Sequence, residues 1–196
     1  MPAINAEGVR TGNRYLSDRR DLNRAFPGSA GGSVARLIAH EVAKGILVHC
    51  DALVDLHTGS FERANLPQIR ADLRDPDVVT LTQGLGGMVI LHSTPAGGTL
   101  RAAATAAGIP TVTLEAGGPS ELEVNVVKQG VLGIETLIST LSMQRRRSLW
   151  GDPEPVYYRF EGRSLGGTVR LIVISLVVFA VIAAIHNWAG YRPFPG

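Results

Sequence analysis

Residues 51–60 read DALVDLHTGS. Ala52, Leu53, Val54 and Leu56 form a compact apolar run. Asp55, His57 and Thr58 bring in polar groups at its end, and Gly59 closes it. This is how a buried strand looks when it delivers polar side chains at its C-terminal end, the end of an open α/β sheet where ligands bind. His57 is therefore a candidate metal ligand, with Asp55, two residues earlier, as its candidate partner. A histidine that merely hydrogen-bonds a loop would account for the same residues, and this stretch alone leaves both readings open.

On either side of it, helical and extended patterns alternate. Upstream, Ser33 can cap a helix in which Val34, Leu37, Ile38, Glu41, Val42 and Ile46 follow helical spacing, ending near 45–47. His40 and Glu41 are neighbours in that helix and do not share a face, which makes them a poor metal pair. Downstream, 61–77 is mixed and polar, and Leu66-Pro67 is expected to break any regular element. A short helix is expected over 77–84 and a strand over 86–92, with His92 a structural histidine at its end. A helix over 99–108 stops at Gly108 and Pro110, and a strand over 109–114 carries the β-branched Thr111, Val112 and Thr113. That strand runs into Glu115-Ala116-Gly117-Gly118, a carboxylate followed by glycines where backbone and substrate can approach closely. A long helix over 121–141 would turn Val124, Val127, Val131, Ile134 and Leu137 to the core. The fold class is α/β with a mostly parallel sheet and flanking helices. His57 and Glu115 both fall at strand C-termini, and a histidine and a carboxylate converging there point to metal-assisted hydrolysis.

Composition narrows the classes. The chain has 196 residues, 45% hydrophobic and 18% charged, enough to bury a core. A net charge of +2 gives no ground for a nucleic-acid partner. The single cysteine, Cys50, excludes an internal disulfide and fits a reducing compartment. The N-terminal residues are polar and do not form a signal peptide. Arginines crowd 10–24, at Arg10, Arg14, Arg19, Arg20 and Arg24, beside Asn13, Asp21 and Asn23, in a stretch read as irregular up to the turn at Phe26-Pro27-Gly28. Planar guanidinium forks grip carboxylates, so a small anion is the natural ligand there. A solvated loop of paired charges is the competing reading.

Several pieces occur together and in order: Pro2-Ala3-Ile4-Asn5, Arg14-Tyr15, Asp21-Leu22-Asn23-Arg24 with Phe26-Pro27-Gly28, Asp55-Leu56-His57-Thr58-Gly59, and Thr113-Leu114-Glu115-Ala116-Gly117. In these the chain resembles the succinylglutamate desuccinylase/aspartoacylase family of zinc hydrolases, which share the zinc-carboxypeptidase fold. The resemblance spans 1–142. It implies one Zn2+ per complete site, with His57 as a metal ligand and Glu115 as general base on the zinc-bound water. It further implies Asn23 and Arg24 as the pair that holds a substrate carboxylate, and Arg14 as the cation that polarises the scissile carbonyl. The implied substrate is a small N-acyl amino acid or related carboxylate. The family's His-x-x-Glu motif, which supplies its other zinc ligands, is absent, because no histidine precedes His40. A partial zinc-carboxypeptidase-like domain over 1–150, truncated at its N-terminus and inactive alone, is therefore expected. The other reading is a catalytically inactive, membrane-tethered remnant that binds a small carboxylate.

The C-terminal part reads differently. Residues 151–168 are a linker or the remnant of a β-rich segment. Residues 171–185, LIVISLVVFAVIAAI, are uncharged, and extension toward Tyr191 gives a helix of roughly 30 Å, with Trp188 and Tyr191 as interface anchors. A C-terminal apolar helix crossing a membrane is expected over 169–191. Arginines are concentrated before it, which puts the hydrolase-like domain on the cytoplasmic side. A wholly cytoplasmic chain, with this run as a core helix or strand pair, is the alternative.

Overall fold

The computed structural model describes residues 3–60, 63–119 and 123–141, and the backbone of Leu171–Ser175. Strand β1 (Ala52–His57) is buried up to its last residue, and its two faces go to two different places. Ala52, Val54 and Leu56 enter one core cluster. There they meet Ile69 and Ala71 of β2 (Asn65–Ala71) and Val112, Leu114 and Ala116 of β4 (Thr111–Gly117). Leu53 enters a second cluster on the opposite face, and the two-residue period puts Asp55 and His57 on that same side.

Helices cover both faces. On the first, α3 (Pro76–Gly84) and α5 (Val124–Thr140) contribute Val78, Leu81 and Leu137. On the second, α2 (Val34–Gly45) and α4 (Leu100–Ala106) contribute Ala35, Ala39, Val42, Leu100 and Ala104. With β3 (Val89–His92) and β5 (Leu171–Ser175) the strand order is β3-β2-β4-β1-β5. The pairs β1–β4, β1–β5 and β2–β3 are parallel, and β2–β4 is antiparallel. The mostly parallel α/β sheet expected from the sequence is present.

Some expectations are corrected. Leu171–Ser175 does not open an apolar helix. It is a strand that pairs along the outer edge of β1. Its Ile and Val favour a pleated backbone, and the buried β1 needs hydrogen-bond partners on both edges. Among the described residues no helix is long and apolar enough to cross a membrane. The rest of the proposed span, 176–191, and the segment 151–168 lie outside the described residues. Leu66-Pro67 does not prevent a strand either, since both residues belong to β2. The N-terminal stretch, read as irregular, contains α1 (Ala6–Thr11), whose first turn is capped by Asn5 Oδ1 on Gly8 N at 2.7 Å. In α2 the buried face is Ala35, Ala39 and Val42, while Val34 and Leu37 are exposed, because alanines let the helix lie close to its neighbours. Val124 is likewise exposed in α5, where Val126 and Ile134 pack beside Leu137.

Candidate active site

A cleft of about 460 Å³ opens where β1 and β4 end, on the face that carries Asp55 and His57. Register decides what meets there. His57 stands opposite Glu115 in the parallel β1–β4 pair, so the two side chains leave the same face of adjacent strands. His57 Nε2 lies 2.9 Å from Asp55 Oδ2. The carboxylate accepts from Nε2–H, which leaves Nδ1 with the free lone pair. Asp55 is 1% exposed, and among the described residues its other oxygen, Oδ1, has no hydrogen-bond partner. Burial works against charge on the His57 ring, but Asp55, through charge and hydrogen bond, and then Glu115 outweigh it and raise its pKa above the ordinary 6.5. Arg14 acts in the opposite direction.

The N-terminal loop supplies a second wall. Buried Asn5 donates from Nδ2 to the Arg14 carbonyl at 3.2 Å, and the Arg14 guanidinium donates from Nε and Nη2 to Asp21 Oδ2 at 3.1 and 2.8 Å. Asp21 Oδ1 accepts from Asn23 N at 2.9 Å, so the same carboxylate shapes the turn at Leu22–Arg24. Asn23 Oδ1 accepts from Leu100 N at 2.8 Å, at the start of α4. That bond fixes the amide's orientation and frees Nδ2. Arg24 donates to the Asn23 carbonyl at 2.6 Å. Gly98 backs this turn at φ +79, and a Cβ there would come within 2.8 Å of the Arg24 carbonyl oxygen. All five residues assigned roles from the sequence, Arg14, Asn23, Arg24, His57 and Glu115, therefore line one cleft.

Four further lining residues carried no recognisable signal. Asn65 donates to Glu115 Oε2 at 2.7 Å, and Arg70 Nε lies 3.4 Å from Glu115 Oε1. Buried Arg101 donates to the carbonyl and hydroxyl of Ser93, and burial lowers its pKa. Arg63 reaches the mouth because Gly59 has no side chain, since a Cβ on Gly59 would lie 1.9 Å from the Arg63 carbonyl oxygen. Among the described residues five arginines thus line the cleft against the two carboxylates Asp55 and Glu115, an imbalance suited to an anionic ligand. His92 lies outside it, exposed, with Nδ1 accepting from Leu73 N. His40 stays on α2, away from the cleft lining.

The model of the succinylglutamate desuccinylase/aspartoacylase catalytic domain matches residues 1–141. The chain belongs to that family. Among solved structures it is similar to a succinylglutamate desuccinylase/aspartoacylase from Rhodobacter sphaeroides, at 22% identity and a TM-score of 0.66, over 89% of this chain and 50% of that one. The product-bound ectoine utilization protein EutE from Ruegeria pomeroyi gives 21% identity and a TM-score of 0.66 over the same shares. A succinylglutamate desuccinylase from a Silicibacter species gives 25% identity and a TM-score of 0.60, over 70% of this chain and 44% of that one. The chain spans about half the length of these structures. A comparison with curated proteins found no match. Members of the succinylglutamate desuccinylase/aspartoacylase family are hydrolases, and the mixed α/β fold with flanking helices is theirs.

Proposed function

We propose that this chain carries the reacting face of a zinc-dependent hydrolase that cleaves the amide or ester bond of small N-acyl amino acids or related carboxylates. The observation that carries the reading is the β1–β4 register, which sets His57 beside Glu115 within a ring of arginines. His57 would hold the metal through Nδ1. Its other nitrogen already engages Asp55, the arrangement that fixes a liganding ring and raises its basicity. Zinc, when bound, lowers the pKa of its water toward 7 and polarises the carbonyl.

The chain's own residues do the rest. Glu115 takes the water's proton and passes it to the leaving group. Arg14, oriented by Asp21, places positive charge where the carbonyl oxygen becomes negative. Asn23 through Nδ2, and Arg24, grip the substrate carboxylate. The fit to the metal is partial. A catalytic zinc takes three protein ligands, and the described residues contain no group of three His, Cys, Asp or Glu that could hold one. His57 suits one position, and two further donors have to come from outside the described residues.

Elemental analysis after zinc loading tests the proposal. One tightly held zinc per chain, lost in His57→Ala, is the expected result. A chain that holds no zinc, yet binds N-acetyl amino acids with an affinity that falls in Arg24→Ala, would favour a carboxylate-binding protein without metal chemistry.

A further inference from the structure

Residues of like parity share a face of a regular strand. Asn65 and Arg70 differ in parity, so an unbroken β2 would send them to opposite faces. Both nevertheless reach Glu115, Asn65 at Oε2 and Arg70 at Oε1. The register explains how. Asn65 stands opposite Gly117 and Gln68 opposite Glu115, so three steps along β2 answer two along β4. The extra residue is a bulge at Leu66-Pro67, a place where a missing proline N–H disturbs no regular ladder. Beyond it the pairing runs evenly, Ile69 opposite Leu114 and Arg70 opposite Thr113, so Ile69 and Ala71 stay in the core. The bulge turns Asn65 to the face that Gln68, Arg70 and Glu115 share.

We infer that this bulge seats Asn65 and Arg70 on the two oxygens of one carboxylate, making both of them positioning residues for Glu115. The inference rests on Glu115 being the base of the proposed hydrolysis. A glutamate side chain turns about three torsions, and a base held within about 2.6–3.2 Å of the proton it takes cannot be left to wander among rotamers. The Asn65 hydrogen bond is short and occupies Oε2. The Arg70 contact is longer, 3.4 Å, and comes from a side chain 44% exposed. Oε1 is therefore the less firmly held oxygen, and the one that would meet the attacking water.

Two measurements test this. In labelled wild-type chain, NMR should show the Asn65 side-chain amide proton displaced downfield, moving back upfield in Glu115→Gln. Three-bond couplings should report a single Glu115 rotamer, averaged in Asn65→Ala. Where the zinc-supplemented wild type turns over N-acetyl amino acids, Asn65→Ala and the isosteric Asn65→Asp should each lower kcat by about 10–100-fold with KM unchanged, the penalty for a reacting group misplaced by an ångström or so. An Asn65 amide at the position of an exposed amide, a Glu115 rotamer indifferent to Asn65→Ala, or an unchanged kcat would each overturn the inference. Absence of turnover from the wild type is the outcome expected of a chain without its other zinc ligands, and the spectra alone would then decide the clamp.

Discussion

Replacing Asp55 with asparagine changes charge without changing shape, and its effect on stability should depend on pH in a specific direction. The perturbed group is 1% exposed, with Oδ2 on His57 Nε2 at 2.9 Å and Oδ1 without a partner among the described residues. The pKa of His57 is raised above 6.5 in the folded chain, so the folded state binds that proton more tightly than the unfolded state does. The stabilisation from the charged pair is then complete below pH 6.5 and is lost as pH rises through the folded value. In the acid window Asp55→Asn weakens a charged hydrogen bond and leaves a part-buried imidazolium without its nearest counter-charge, a loss of about 1.5–3 kcal/mol. Above the folded pKa His57 is neutral in both proteins. The wild type still buries a carboxylate with an orphaned oxygen, a desolvation cost of about 1–3 kcal/mol, which the asparagine reduces. The variant should then match or exceed the wild type. Urea denaturation in the presence of chelator, at a series of pH values on both sides of the transition, reads this directly. A destabilisation that stays constant across the series, or grows with pH, would refute the account of this pair.

Four other outcomes follow from the same geometry. Arg24→Ala should weaken binding of N-acetyl amino acids by about 1.5–3 kcal/mol in calorimetry, the range for a charged hydrogen bond, and added salt should shrink the difference. Asn23→Ala should lower stability by about 0.5–2 kcal/mol, because Leu100 N at the start of α4 loses its acceptor. Asn23→Asp keeps the acceptor but loses the Nδ2 donor and brings a negative charge to the cleft, so its stability should stay near wild type while its anion binding falls. Zinc should raise the melting temperature of the wild type and not that of His57→Ala, since a ligand stabilises only a fold that binds it. An equal shift in both would remove His57 from the metal site.

The sequence makes the central strand legible, because a fully buried parallel strand writes itself as a continuous apolar run with its polar cargo at one end. Asp55, His57 and Glu115 were found for that reason, and the two-residue period predicts correctly that Asp55 and His57 share a face. Asn23 and Arg24 come from the resemblance, and their placement in the cleft depends on a bond to Leu100, 77 residues away, which no local pattern records. Strand β2 is not legible in the sequence because Leu66-Pro67 reads as a breaker, and only its pairing with β4 makes that dipeptide a bulge. Asn65 and Arg70 were lost with it. Arg101 looks like an ordinary surface residue of a short alanine-rich helix until the fold turns it onto Ser93. The run from Leu171 reads as a helix because hydrophobicity alone does not distinguish a strand from a helix when both would be apolar on every side.

The pairing of β5 with β1 has a bearing on how the chain is made. Ala52 takes its hydrogen-bonded neighbour from Leu171, far later in the order of synthesis. Before that part of the chain has left the ribosome, this edge of the strand that bears His57 lacks the partner that pairs with it in the described structure, and an open edge invites pairing with other chains. Closing so long a loop is also entropically slow compared with local helix formation. Nascent or proteolysed chains that lack Leu171–Ser175 should therefore aggregate more readily than the whole chain, with β1 as the segment through which they join.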